Sequence, residues 1–123
     1  MILTEFDHKT GILFTKFEDQ ITLLEIVEYI RATKNNKEYP RILKILTDAT
    51  NSNMNLEFED LEVIVSENYK SIEKYDCIID AIVLENPKET ALSFLYKELV
   101  KTGKYKFEVF STQEAALRWI SSY

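Results

Sequence analysis

The sequence predicts an α/β fold: one mixed, mostly parallel sheet of about five strands with four flanking helices, in the order β-β-α-β-α-β-α-β-α. Two observations predict it. Three times an apolar, β-rich run gives way to a small polar residue followed three positions later by Glu: at Thr22 and Glu25, at Asn86 and Glu89, and at Ser111 and Glu114. This spacing lets the first side chain accept from unpaired N–H groups of a first helical turn while the glutamate reaches back, as in a capping box. Apolar residues also alternate or run together before these signals and repeat at helical spacing after them.

The elements follow in order. Residues 2–6 and 12–17 alternate and are rich in β-formers, and residues 7–11 between them supply a turn with Gly11 where positive φ is cheap, so they read as a hairpin. Leu23, Ile26, Val27 and Ile30 mark a helix that frays near Asn35 and Asn36. Pro40 introduces residues 41–47, apolar on both faces except for Lys44, as expected of a central strand. A polar segment at 48–53 follows as a loop. Phe58, Leu61, Ile64, Val65, Tyr69 and Ile72 mark the longest helix, ending near Tyr75.

Residues 77–84 are the fourth strand, with Asp80 inside an apolar run. Asn86 caps the third helix and Pro87 begins it where proline loses no hydrogen bond. Ala91, Leu92, Leu95, Tyr96 and Leu99 line its buried face, and Gly103 stands where a left-handed residue ends a helix. Residues 105–110 form the last strand; Ser111 caps the final helix, with Ala115, Ala116, Trp119 and Ile120 on its buried side. Right-handed crossovers make the later strands parallel.

Composition narrows the function classes. With 123 residues, 46% of them hydrophobic, the chain suits a single packed domain that needs no disulfide. One cysteine, Cys77, and an opening with neither a basic nor an apolar leader region point to a cytoplasmic protein without a membrane span. Net charge −6 has the wrong sign for a phosphate-backbone binder, so nucleic acid is not an expected partner. His8 is the only histidine and lies in the hairpin turn, so no His/Cys metal site is expected. The two glycines build no phosphate loop, nucleophile elbow or dinucleotide fingerprint, and no cofactor is expected.

Carboxylates gather at predicted helix starts: Glu57, Glu59 and Asp60, then Glu89, then Glu114. The helix dipole favours each by ~0.3–1 kcal/mol, so capping explains them without catalysis. Ligands of open α/β sheets sit beyond the carboxyl ends of strands, which makes Asp48, Thr50, Asn51, Ser52 and Asn53, with Asn86 and Ser111, the candidate partner or ligand site. Phe58, Tyr69, Phe94 and Tyr96 are the candidate lining of an apolar ligand between the second and third helices and the sheet, though aromatics at this spacing also serve as core.

Residues 45–48, the polar loop after them, residues 86–91 and residues 105–119 resemble the STAS/SEC14-like bacterial proteins with a SpoIIAA-like fold. The resemblance spans nearly the whole chain and is most recognisable in the closing strand, cap and helix. It implies a non-enzymatic module that acts by protein interaction, like the STAS anti-sigma factor antagonists, or, on the SEC14-like side, a carrier of a lipid-like molecule. The antagonists are phosphorylated on a serine in an Asp-Ser-Ser-Gly-like motif after the central strand. Here only Asp48 matches, Ala49 replaces the first hydroxyl and no glycine follows, leaving Thr50 and Ser52 as displaced candidates. A phosphate there would add ~1.5–2 negative charges beside Asp48 and favour release of a partner.

The expected function is therefore a regulatory module with a protein partner, with the lipid-like carrier as the alternative. Enzymatic acid–base work would fall to carboxylates without an identified partner, and a buried acidic pair in a pocket would revive it. Lys9 and Lys16 disfavour pairing of the first hairpin with a second copy, and oligomeric state stays open.

Overall fold

The computed structural model describes residues 1–123. Its elements are β1 (Ile2–Asp7), β2 (Ile12–Ile21), α1 (Leu23–Asn35), β3 (Ile42–Met54), α2 (Phe58–Ile72), β4 (Cys77–Val83), α3 (Pro87–Leu99), β5 (Tyr105–Phe110) and α4 (Gln113–Ser121). The sheet order is β1-β2-β3-β4-β5, with β1 antiparallel to β2 and every later pair parallel. The predicted class, element order and central strand are those observed.

Strand order fixes the layers. Each parallel strand lies next to its predecessor in one direction, so right-handed crossovers place α1, α2 and α3 on one face. The larger core lies there, joining Leu13, Leu43, Ile45, Ile78 and Ile82 of the sheet to Ile26, Ile30, Leu61 and Ile64 of the helices. On the other face α4 lays Ala116 and Ile120, both fully buried, over Leu46, Ile79, Ala81 and Val83. A side chain buried like Ile120 contributes ~1.5–3 kcal/mol. The central strand thus serves both cores, although Ile42 at its start is exposed.

Local signals behave unevenly. Asp7 organises the hairpin turn: its carboxylate accepts from Lys9 N at 3.0 Å and from Thr10 Oγ1 at 2.8 Å, and Gly11 takes φ +73°. Thr22 and Glu25 form the predicted reciprocal box, with Glu25 N donating to Thr22 Oγ1 at 3.2 Å and Thr22 N to Glu25 Oε1 at 3.1 Å. Thr112, not Ser111, caps α4, accepting from Ala115 N at 3.2 Å. The helix therefore starts one residue later than predicted, and Glu114 is one position short of the box.

Two further expectations are corrected. Residues 48–53 are not a loop: β3 continues to Met54, pairing Asn51, Ser52 and Asn53 with Glu18, Asp19 and Gln20 of a longer β2. A register shift between Lys16 and Glu18 turns the chain so that Ile21 and Met54 at the far end are both buried. α3 ends at Leu99 with Val100 in extended conformation, and Gly103 has no positive φ.

Candidate functional site

Between α1, α2, α3 and the sheet lies a cavity of about 120 Å³. Its walls are mainly apolar, with Phe17, Ile30, Ile64, Leu92 and Phe107 among them. The size approaches that of the roughly 150 Å³ engineered apolar cavities that admit benzene.

One polar group on the wall is Asp80, the lone acid of β4. Strand alternation puts it on the same face as Ile78 and Ile82, under the helix layer. Burial pushes its carboxyl up to about 6, against the hydrogen bond from Tyr105, which lowers it. Tyr105 Oη donates to Asp80 Oδ2 at 2.5 Å, Tyr96 Oη donates to Tyr105 Oη at 3.0 Å, and Asn68 Nδ2 donates to Tyr96 Oη. This relay runs from α2 through α3 and β5 to β4, and each hydroxyl both donates and accepts. Burial and the Asp80 charge push both tyrosine hydroxyls well above the ordinary phenol range.

The second polar group is Glu89, only 2% exposed. Asn86 Oδ1 already accepts from Lys88 N at 2.8 Å and Glu89 N at 3.2 Å, so α3 is capped from one side. Glu89 does not complete a box. Its Oε1 accepts the N–H of Met54 at 2.5 Å, at the buried end of β3, and its Oε2 is buried without a protein partner. The capping role predicted for Glu89 is thus replaced by a tie between α3 and β3.

Thus the cavity is an apolar chamber with two carboxyls on its wall and no Lys, Arg or His among its lining residues. No protein-family model and no curated protein matches the chain. Among solved structures it is similar to an uncharacterised protein of the DUF3478 family from Shewanella loihica PV-4, described as having a SpoIIAA-like fold. The two are 14% identical, the match covers 97% of this chain and 93% of that one, and the TM-score is 0.63. The chain has a SpoIIAA-like fold. Identity at that level extends to architecture alone.

In this SpoIIAA-like fold the register sets Asp48 beside Val83 and Val83 beside Phe110, at the carboxyl edge from which α3 and α4 start, while Asn51, Ser52 and Asn53 run on past that edge beside β2. None of them lines the cavity beneath the helices. Asp48 Oδ1 accepts from Thr50 N at 3.0 Å and Thr50 Oγ1 at 2.6 Å, and its Oδ2 accepts from Gln113 Nε2 at 2.9 Å. Burial raises the Asp48 carboxyl, yet these hydrogen bonds together hold it below its ordinary value. Ser52 Oγ donates to Ala49 O at 3.0 Å, Asn51 and Asn53 are exposed, Asn86 is engaged as a cap and Ser111 is exposed. A strand order that never reverses opens no crevice at the carboxyl edge, so the space lies beneath the helices instead.

Of the predicted apolar lining, Tyr96 alone faces the cavity. Phe58 and Phe94 are each 50% exposed, and Tyr69 Oη accepts from Lys101 N at 2.9 Å outside it. Asp80, Glu89, Asn68 and Tyr105 are the site residues that sequence reasoning missed. The signal available for Asp80 was a charge in the middle of a strand otherwise apolar on both faces.

Proposed function

We propose that this protein binds a small, largely apolar molecule in the chamber between the helix layer and the sheet, as a non-enzymatic carrier or sensor. The apolar space beneath the helices, with fixed polar groups on its wall, is the observation that supports this reading. Asp80 and Glu89 do line one cavity, the circumstance under which an enzyme would be reconsidered. Each, however, has one oxygen already committed, to Tyr105 and to the Met54 N–H, which suits an acceptor fixed for binding. Native mass spectrometry of freshly purified protein tests the reading: a constant mass excess that disappears on denaturation is expected, and a clean apo mass counts against it.

The regulatory, STAS-type reading has a narrower support, the ordered polar rim where Asp48 joins Thr50 to Gln113 of α4. In that reading the rim and the exposed Asn51 and Asn53 meet a protein partner. Thr50 and Ser52 have their hydroxyls engaged within β3, which disfavours them as phosphate acceptors. Comparing partners captured by the native protein and by the double substitution Asp48→Lys, Asn51→Arg tests it; identical sets would remove it.

A further inference from the structure

Resting on the small-molecule reading, we propose that the chamber selects a cationic amphiphile: a primary amine on a short apolar body, whose ammonium group is held at Glu89. Glu89 Oε2 supports this directly, since it belongs to a side chain 2% exposed, lines the cavity and has no protein partner. A buried acceptor left unmatched is costly, and a donor brought by the ligand removes that cost.

Charge decides which donor. The chamber wall carries the carboxyls of Asp80 and Glu89 and no basic side chain, so an anionic head such as a fatty-acid carboxylate meets repulsion with nothing to offset it. A neutral hydroxyl head satisfies one acceptor but brings no positive charge to a wall that carries two carboxyls and no basic side chain. An ammonium group does both, through a charge-assisted hydrogen bond to Oε2 while Oε1 stays on the Met54 N–H. The body fits a volume of about 120 Å³ lined mainly by apolar side chains, which suits a chain of several carbons or one ring rather than a two-chain lipid.

The test compares hexylamine, 1-hexanol and hexanoate on the full chain by amide NMR, with the Met54 N–H as the local reporter. Hexylamine is expected to bind at least tenfold tighter than either of the others and to move the Met54 resonance. Glu89→Gln retains an oxygen for Met54 and removes the charge, so the amine preference is expected to vanish while 1-hexanol binding persists. The wild-type ranking stands by itself if that variant does not fold. Equal affinities for the three probes, or a preference for hexanoate, overturn the amine assignment while leaving an apolar-ligand site in place. Absence of binding by all three overturns both.

Discussion

Tyr105 Oη lies 2.5 Å from Asp80 Oδ2, one strand away across the parallel β4–β5 pair, and it is the donor that makes an acid in the middle of the sheet tolerable. Removing only that hydroxyl, in Tyr105→Phe, leaves a buried acceptor short of its partner and strips Tyr96 of its own acceptor. The expected cost is ~1–3 kcal/mol of unfolding free energy, read from urea titration. The Asp80 carboxyl should also titrate above about 6, since the lost bond is the one that lowers it. An unchanged Asp80 titration would mean that the relay does not govern this acid.

Asp80 and Glu67 give stability opposite responses to pH. For Asp80 the folded value, about 6, lies above the ordinary 3.8, so its contribution is full below the ordinary value and is lost as pH rises through about 6. That loss is on the order of 3 kcal/mol, because each pH unit of difference corresponds to about 1.4 kcal/mol. Asp80→Asn keeps an acceptor for Tyr105 and removes the titration. The variant is expected to gain on the native protein between pH 4 and pH 7.5 in chemical denaturation; a gap that stays constant with pH would refute a raised Asp80.

Glu67 is held below its ordinary value chiefly by the hydrogen bond from Arg31, whose Nη2 donates to Oε1 at 2.7 Å and whose Nε donates to Oε2 at 3.4 Å, pinning α1 to α2. Its stabilisation is present above the ordinary carboxylate value of 4.5 and is lost as pH falls through the folded value. Arg31→Met is therefore expected to flatten the acid limb of the stability profile. The drop in unfolding midpoint from pH 6 to pH 3 should be smaller in the variant than in the native protein, and an unchanged drop would refute the lowered Glu67.

The fold was legible because its signals are local and mutually consistent: Thr22 with Glu25, Asn86 before Pro87, and apolar periods that change from strand to helix at each cap. The site was not, because a capping pattern names a carboxylate without saying which N–H it will meet. Glu89 stands at box spacing from Asn86, but β3 runs on beyond the last β3–β4 pair, Asp48 with Val83, and the buried Met54 N–H there takes the Glu89 oxygen. Asn51, Ser52 and Asn53 read as loop by composition, yet the burial of Ile21 and Met54 beyond them draws the segment into the sheet. Tyr96 and Tyr105 look like core aromatics until Asp80 is placed between the elements that carry them.

The two glycines separate local conformation from sequence expectation. Gly11 sits at φ +73° in the hairpin turn, so Gly11→Ala is expected to destabilise by ~1–2 kcal/mol even though open space surrounds it. Gly103 has no positive φ and nothing within 4 Å of an added methyl group. Gly103→Ala is expected to be neutral or to stabilise by up to ~1 kcal/mol through the unfolded chain. Thermal melts of the two variants decide it, and equal losses would restore a left-handed residue after α3.

Filling the chamber separates a cavity that binds from one that is only imperfect packing. Ser93 lies on the inner face of α3, 9% exposed, and lines the cavity without a hydrogen bond of its own to lose. Ser93→Leu sends an apolar side chain into space the fold already contains, so stability should hold or rise by ~1 kcal/mol, whereas insertion into a filled core costs ~1–3 kcal/mol. The same change should abolish any mass excess carried by the native protein and suppress binding of hexyl probes. A variant that remains folded yet retains the full mass excess would place the ligand elsewhere, and one that unfolds would show that the space between α3 and the sheet is smaller than its walls imply.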